Sequence, residues 1–310
     1  MRHFLIDTDT ASDDAVALVM ALRHPGVIIE AITVVAGNVP VAQGVQNALY
    51  TVELCGQSIP VYRGMSAPLA RPLETAQYVH GEDGMGDIGL PLSGRQPAGG
   101  NAINVMIDTI HRFAGDITLV TLGPLTYIAT ALRQDPSIAR EVRDCVIMGG
   151  TGRGHGNVTP VAEYNFWADP EAAKIVFEAG MPITMVGWDI SRTYATVNPA
   201  EAAQLRGFNT QQASYSVDSQ GPEQHYAVNQ SRLPGFDLPD PIAMAVALNP
   251  DVATEVRSRF VAIEAQSELC RGQSVVDHFN ILKQNPNAEV VLKASREKFW
   301  QMLCDAVRMK

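Results

Sequence analysis

The stretch Phe4-Leu5-Ile6-Asp7-Thr8-Asp9-Thr10-Ala11-Ser12-Asp13-Asp14 runs from three apolar residues straight into four carboxylates. An apolar entry of this kind reads as a buried strand, and the acidic residues after it read as the turn at its end. Ionised carboxylates packed this closely repel one another, which raises their pKa values unless positive charge sits among them. No lysine or arginine lies between Arg2 and Arg23. A divalent cation would supply the charge, and hard oxygen donors suit calcium or magnesium. The simpler alternative is a helix N-terminus, with Ser12 as cap and Asp13 and Asp14 at the positive end of the helix dipole. That alternative leaves Asp7 and Asp9, which precede the helix, without a purpose.

Outward from this stretch, short apolar runs alternate with helical patterns. The runs are 3–7, 27–35, 116–122, 144–148, 182–187 and 258–264. Continuous runs of this length suit strands buried on both faces of a parallel sheet. Helical spacing of apolar residues marks 13–23, 40–55, 101–114, 124–133 and 169–179. Asp169-Pro170 places a cap before a proline at the first helical position, and Gly180 closes the same helix. The alternation predicts a single doubly wound α/β domain over residues 1–310, Rossmann-like, with a mainly parallel central sheet. Residues 64–100 and 207–240 read as irregular loop regions able to close over the strand ends.

The 310 residues are 46% hydrophobic and carry a formal net charge of −10. Acidity without any run of Lys and Arg argues against a nucleic-acid partner. No apolar run reaches the length of a membrane span. The four cysteines, at 55, 145, 270 and 304, form no CxxC pair and call for no oxidising compartment. No leader pattern is read, so the expectation is a cytoplasmic enzyme.

In an open parallel sheet, ligands bind beyond the carboxyl ends of the strands. The residues following each expected strand are polar or glycine: Asp7 to Asp14, Gly37-Asn38, Leu122-Gly123-Pro124-Leu125-Thr126, Gly149-Gly150 leading to Asn157, and Trp188-Asp189. Glu163 and Asn165 stand just before the helix at 169, suited either to a sugar's hydroxyls or to helix entry. Asp240, before another apolar helix, is either a cap or a distant ligand for a cation held at Asp9 and Asp14.

Taken together these segments resemble the calcium-dependent nucleoside hydrolase family. Its signature DTDxxxDD stands here as Asp7-Thr8-Asp9-Thr10-Ala11-Ser12-Asp13-Asp14. Ala36-Gly37-Asn38, His80-Gly81-Glu82-Asp83-Gly84, Leu122 to Thr126, Met148-Gly149-Gly150, Gly156-Asn157 through Asn165, Asp169 to Ala172 and Asp240-Pro241 come after it in order. The resemblance implies one calcium per subunit, held by Asp9, Asp14, Asp240 and the carbonyl of Leu122. It implies Asp9 as general base, and Asp13, Asn38, Asn157, Glu163 and Asn165 on the ribose hydroxyls, with Met148 beneath the sugar. The implied reaction is hydrolysis of the N-glycosidic bond of a ribonucleoside, and the implied assembly a homodimer or homotetramer.

The chain departs from the pattern in three places. Much of the family has a histidine directly before the last calcium-binding aspartate, able to protonate the departing base; here it is Pro239. His80 is the next candidate acid, and His225 and Tyr226 of the 207–240 region come after it. Tyr127 stands where the family often has Asn, and Thr10-Ala11 where Pro-Gly is common. Two other readings compete. Asp7-Thr8-Asp9 imitates the nucleophile motif of haloacid-dehalogenase-like phosphatases, but no well-placed lysine stands downstream. A ribonucleoside-binding protein that lost its acid at position 239 would keep the ribose contacts without turnover.

Overall fold

The computed structural model describes residues 1–308. Its core is an eight-stranded sheet. Six parallel strands come first in the chain: β1 (Arg2–Thr8), β2 (Val27–Val34), β3 (Val61–Arg63), β4 (Ile117–Thr121), β5 (Asp144–Met148) and β6 (Ile183–Val186). Their spatial order is β3-β2-β1-β4-β5-β6, followed by Ala288–Ala294 and then Ala253–Arg259, which pairs antiparallel with it. The sheet is therefore doubly wound and mostly parallel, as expected.

β1 lies between β2 and β4, with Asp7 level with Thr33 on one side and Thr121 on the other. Successive side chains of a strand face opposite ways. Phe4 and Ile6 accordingly enter one apolar core, and Leu5 enters the other with Leu119 and Ile117. Burial on both faces explains why the sequence is apolar without alternation. The chain leaves β1 towards one side and reaches β4 from the other, so the β1/β4 boundary is a switch point.

The helix after β1, Ser12–Leu22, is buried along its whole length. It packs against Pro239–Leu248, which is buried after Pro239 and, Asp240 apart, apolar. The other expected helices form at Val41–Leu54, Ala102–Arg112, Thr126–Gln134 and Pro170–Glu178. Asp169 accepts from the Ala172 amide at 3.0 Å, and Gly180 takes the positive φ (77°) that ends a helix.

Three expectations need correction. The run 258–264 is not one strand: Ala253–Arg259 belongs to the main sheet, while Val261–Ile263 pairs with Ser274–Val276 elsewhere. Residues 207–240 are largely helical, with helices at Gln211–Asp218 and Gly221–Asn229. Ser12 is not the cap of its helix; Ala11 occupies that position and Asp14 accepts its amide at 2.9 Å. Residues 64–100 hold only the one-turn helix Gln77–His80. Among the described residues, no helix is long and apolar enough to cross a membrane.

Candidate functional site

A cleft, partly open to solvent, lies beyond the carboxyl ends of β1, β4 and β5. Asp13, Asn38, His80, Leu122, Met148, Asn157, Glu163, Asn165 and Asp240 all line it. Asp9 and Asp14 do not; both are fully buried behind its floor. No lysine or arginine is among the lining residues.

Carboxylates converge here because three elements end together. Asp13 and Asp14 stand in the first turn of Ser12–Leu22, and Asp240 in the first turn of the helix packed against it. One oxygen from each of these three lies within 4.8 Å of the other two. Asp9 adjoins them, its charge acting on both Asp14 and Asp240. Burial pushes Asp9 up to about 7, against the lowering effect of the Asn38 amide. Burial and then the charges of neighbouring aspartates push Asp14 and Asp240 well above the ordinary range. Oδ1 of Asp9, of Asp13 and of Asp240 is buried with no hydrogen-bond partner. Orphaned hard oxygens at this density, with no cation side chain beside them, fit a divalent metal ion.

The backbone around Asp9 is built for close approach. Its Oδ2 accepts from the Asn38 amide at 2.5 Å, and a β-carbon on Gly123 would stand 3.0 Å from its Oδ1. Thr10 takes a φ of 33°, in the left-handed region that costs a β-branched residue free energy. The Thr8 hydroxyl steadies that turn. It accepts from the Thr10 amide at 3.0 Å and donates to Asp14 Oδ1 at 2.5 Å.

Asp7 has a different fate. Its Oδ1 accepts from the Thr33 hydroxyl at 2.5 Å, and burial pushes its pKa up to about 8. It does not line the cleft, which leaves the phosphatase reading without its nucleophile.

On the far wall, Glu163 caps the helix Tyr164–Ala168. Its Oε1 accepts from the Asn165 amide and its Oε2 from the Gly150 amide, both at 2.8 Å. Burial nonetheless outweighs these bonds and pushes its pKa up to about 7. The Asn165 side chain donates to the Leu122 carbonyl at 2.8 Å, and Asn157 Oδ1 accepts from the Tyr164 amide at 3.0 Å. The helix-entry reading of Glu163 therefore holds, and the same residue also faces the cleft.

His80 is buried, its Nδ1 3.0 Å from the Ser12 hydroxyl and 3.8 Å from Asp13 Oδ1. Burial lowers its pKa, more than the charge of Asp13 raises it. His225 faces solvent, where Asn229 is its partner, and it is absent from the cleft. Tyr226, one residue on, lines the cleft and meets Tyr78 edge to face at 5.9 Å. Asp189, read from the sequence as part of the strand-end cluster, instead accepts from the Gly152 and Arg153 amides, and Trp188 takes its place at the cleft.

Sequence reasoning missed Glu223 and Asp237, which are both buried and line the cleft. The available signal was the 3,4 spacing of Glu223, Tyr226 and Ala227 after Gly221-Pro222, which places them on one helix face.

A family model described as inosine-uridine preferring nucleoside hydrolase matches residues 4–301. The chain is 33% identical over 308 residues to the pyrimidine-specific ribonucleoside hydrolase RihB of Escherichia coli (strain SE11), covering 99% of this chain and 97% of that protein. Among solved structures it resembles a plant nucleoside hydrolase, the PpNRh1 enzyme, with a TM-score of 0.94 and 30% identity. That match covers 100% of this chain and 99% of the other. It also resembles the purine-preferring ribonucleoside hydrolase from Gardnerella vaginalis, with a TM-score of 0.91 and 30% identity over 99% of this chain and 98% of that one.

Proposed function

The chain belongs to the inosine-uridine preferring nucleoside hydrolase family and is a ribonucleoside hydrolase, and we propose that it works through a calcium ion held at the acidic floor of the cleft. The proposed ligands are Asp9, Asp14, Asp240 and the carbonyl of Leu122. The observation that carries this reading is the set of buried aspartate oxygens at the β1/β4 switch point with neither a cation nor a hydrogen-bond donor opposite them. A bound cation supplies positive charge that neutralises these carboxylates and makes a nearby water more acidic.

In this reading Asp13, Asn38, Asn157, Glu163 and Asn165 hold the ribose hydroxyls, and Met148 packs beneath the ring. Fixing the sugar at several points lowers the entropic part of the barrier. Cleavage of the C1′–N bond develops positive charge on the ribose, which surrounding carboxylate and amide oxygens favour. Asp9 takes the proton of the attacking water. Its Oδ2 is anchored by the Asn38 amide, and Oδ1 is free to receive it. Water adds to C1′, and the base departs with the bonding pair.

The aromatic end of the cleft, where Tyr78 and Tyr226 meet, suits the base. Relatives named for opposite base preferences match the chain at similar identity, so the shared fold does not decide that preference. The same reading takes residues 1–310 as one hydrolase domain, in a cytoplasmic homodimer or homotetramer.

The test is ribose release from inosine, adenosine, uridine, cytidine and nitrophenyl riboside, with calcium or with chelator. Chelator-sensitive cleavage supports the reading. Cleavage that a chelator leaves untouched removes the metal from it. Tight nucleoside binding with no cleavage of any substrate would favour the binding-protein reading that Pro239 raises.

A further inference from the structure

Resting on the hydrolase reading above, we propose that the carboxyl of Glu223 is the acid that protonates the departing base, with Asp237 as the residue that positions it. The need for such an acid is plain from the cleft lining. Pro239 stands where a donor would be useful and has no proton to give. His80 is held neutral by burial, and its Nδ1 is already beside the Ser12 hydroxyl.

Glu223 is 7% exposed and lines the cleft from the helix Gly221–Asn229. It shares a helix face with Tyr226 and Ala227, at the aromatic end, while the charge of Asp13 still acts on it from the ribose end. The carboxyl thus sits where the two ends meet, which is where the glycosidic bond must lie. Its Oε2 is buried with no donor opposite it. Its Oε1 is 3.4 Å from the Asp237 amide. The Asp237 carboxyl, 4% exposed, accepts from the Ser191 hydroxyl at 2.7 Å and acts on Glu223 as a negative neighbour. Two neighbouring buried carboxyls resist ionising together, so one of them holds a proton.

Glu223 carries it. Burial, then the charges of Asp237 and Asp13, push its pKa well above the ordinary range. Asp237 is also raised by burial, but the Ser191 hydroxyl, the Glu223 proton and the Arg192 charge act the other way. The remaining titratable groups facing this helix are Tyr78 and His80, on the one-turn helix packed against it, and Tyr226 on Gly221–Asn229 itself.

The step balances. Water adds to C1′ and gives a proton to Asp9. The C1′–N bond breaks, and its electron pair takes the Glu223 proton. Glu223 regains a proton from solvent after the base has left.

The experiment compares Glu223→Gln with the unaltered enzyme on inosine, uridine and nitrophenyl riboside, whose leaving group needs no proton. General-acid catalysis contributes about 100-fold or more. The variant should therefore lose at least about 100-fold in kcat on the natural nucleosides and far less on the nitrophenyl compound. Loss of the acid should also remove the alkaline fall of kcat on natural nucleosides. Asp237→Asn takes away a negative neighbour, so the same fall should move to lower pH. Equal losses on all three substrates, or no loss, overturn the assignment. If Glu223→Gln does not fold, an unmoved alkaline limb in Asp237→Asn overturns it. An unaltered enzyme that cleaves none of the three defeats the hydrolase reading instead.

Discussion

A β-carbon on Gly37 would fall well inside contact distance of the Asp9 carboxylate and 2.8 Å from Pro124 Cδ. The turn after β2 thus reaches the end of β1 only because residue 37 has no side chain. Gly37→Ala should displace Asp9 from the Asn38 amide and lower turnover by about 100-fold, the scale of a misplaced reacting group. Overpacking should also cost about 1–3 kcal/mol of stability. Ribose release and a denaturant melt check the two effects; full activity in the variant would mean that Asp9 has no need of its present position.

Asp9→Asn keeps the shape of the side chain and removes its capacity to accept a proton. Turnover should fall by at least about 100-fold while circular dichroism is unchanged. The Asn38 amide retains an oxygen to bond. An Asp9→Asn enzyme with normal kcat would remove the proton acceptor from the mechanism.

Asp7 and Asp9 are pushed up to about 8 and 7, and Glu163 to about 7, chiefly by burial. In the unfolded chain these groups titrate near pH 4. Between those values the folded chain holds more protons than the unfolded one, so stability falls as pH rises. With chelator present, Tm should therefore drop from about pH 5 to pH 8. A cation binds the deprotonated carboxylates, so added calcium should raise Tm more at pH 8 than at pH 5. Thermal melts across that range settle the sign, and an equal calcium shift at both ends would contradict it.

Asp169 is fully buried and accepts from the Leu69 amide, the Thr126 hydroxyl and the Ala172 amide at 2.8, 2.7 and 3.0 Å. It ties the 64–100 segment to the turn after β4. Asp169→Ala leaves three donors without their acceptor and should cost about 3 kcal/mol. Asp169→Asn, which keeps one oxygen, should cost less; urea unfolding of both variants orders them.

Much of the fold is legible in the residues alone. The parallel strands are apolar throughout because both faces are covered, and the helices around them carry regular apolar spacing. The antiparallel edge is not legible for the same reason reversed. Ala253–Arg259 has alternating, partly exposed residues and offers no apolar run. Gly221–Asn229 lacks an apolar stripe because its buried face belongs to the cleft, and so Glu223 escapes a reading based on periodicity. The acidic cluster is visible as composition, but which oxygens meet is a matter of helix packing. Asp13, Asp14 and Asp240, from two different helices, each bring one oxygen within 4.8 Å of the other two.

The pairing of Asp7 with Thr121 has a consequence for how the protein comes into being. β1 is a central strand, and its second neighbour β4 begins only at Ile117, 109 residues after β1 ends at Thr8. Until then its apolar edge is open, a period of exposure that favours misassembly. Asp240 arrives later still. No nascent fragment short of it can hold the full acidic floor, so the capacity to capture a cation reports a chain made at least as far as Asp240 rather than any local stage of folding.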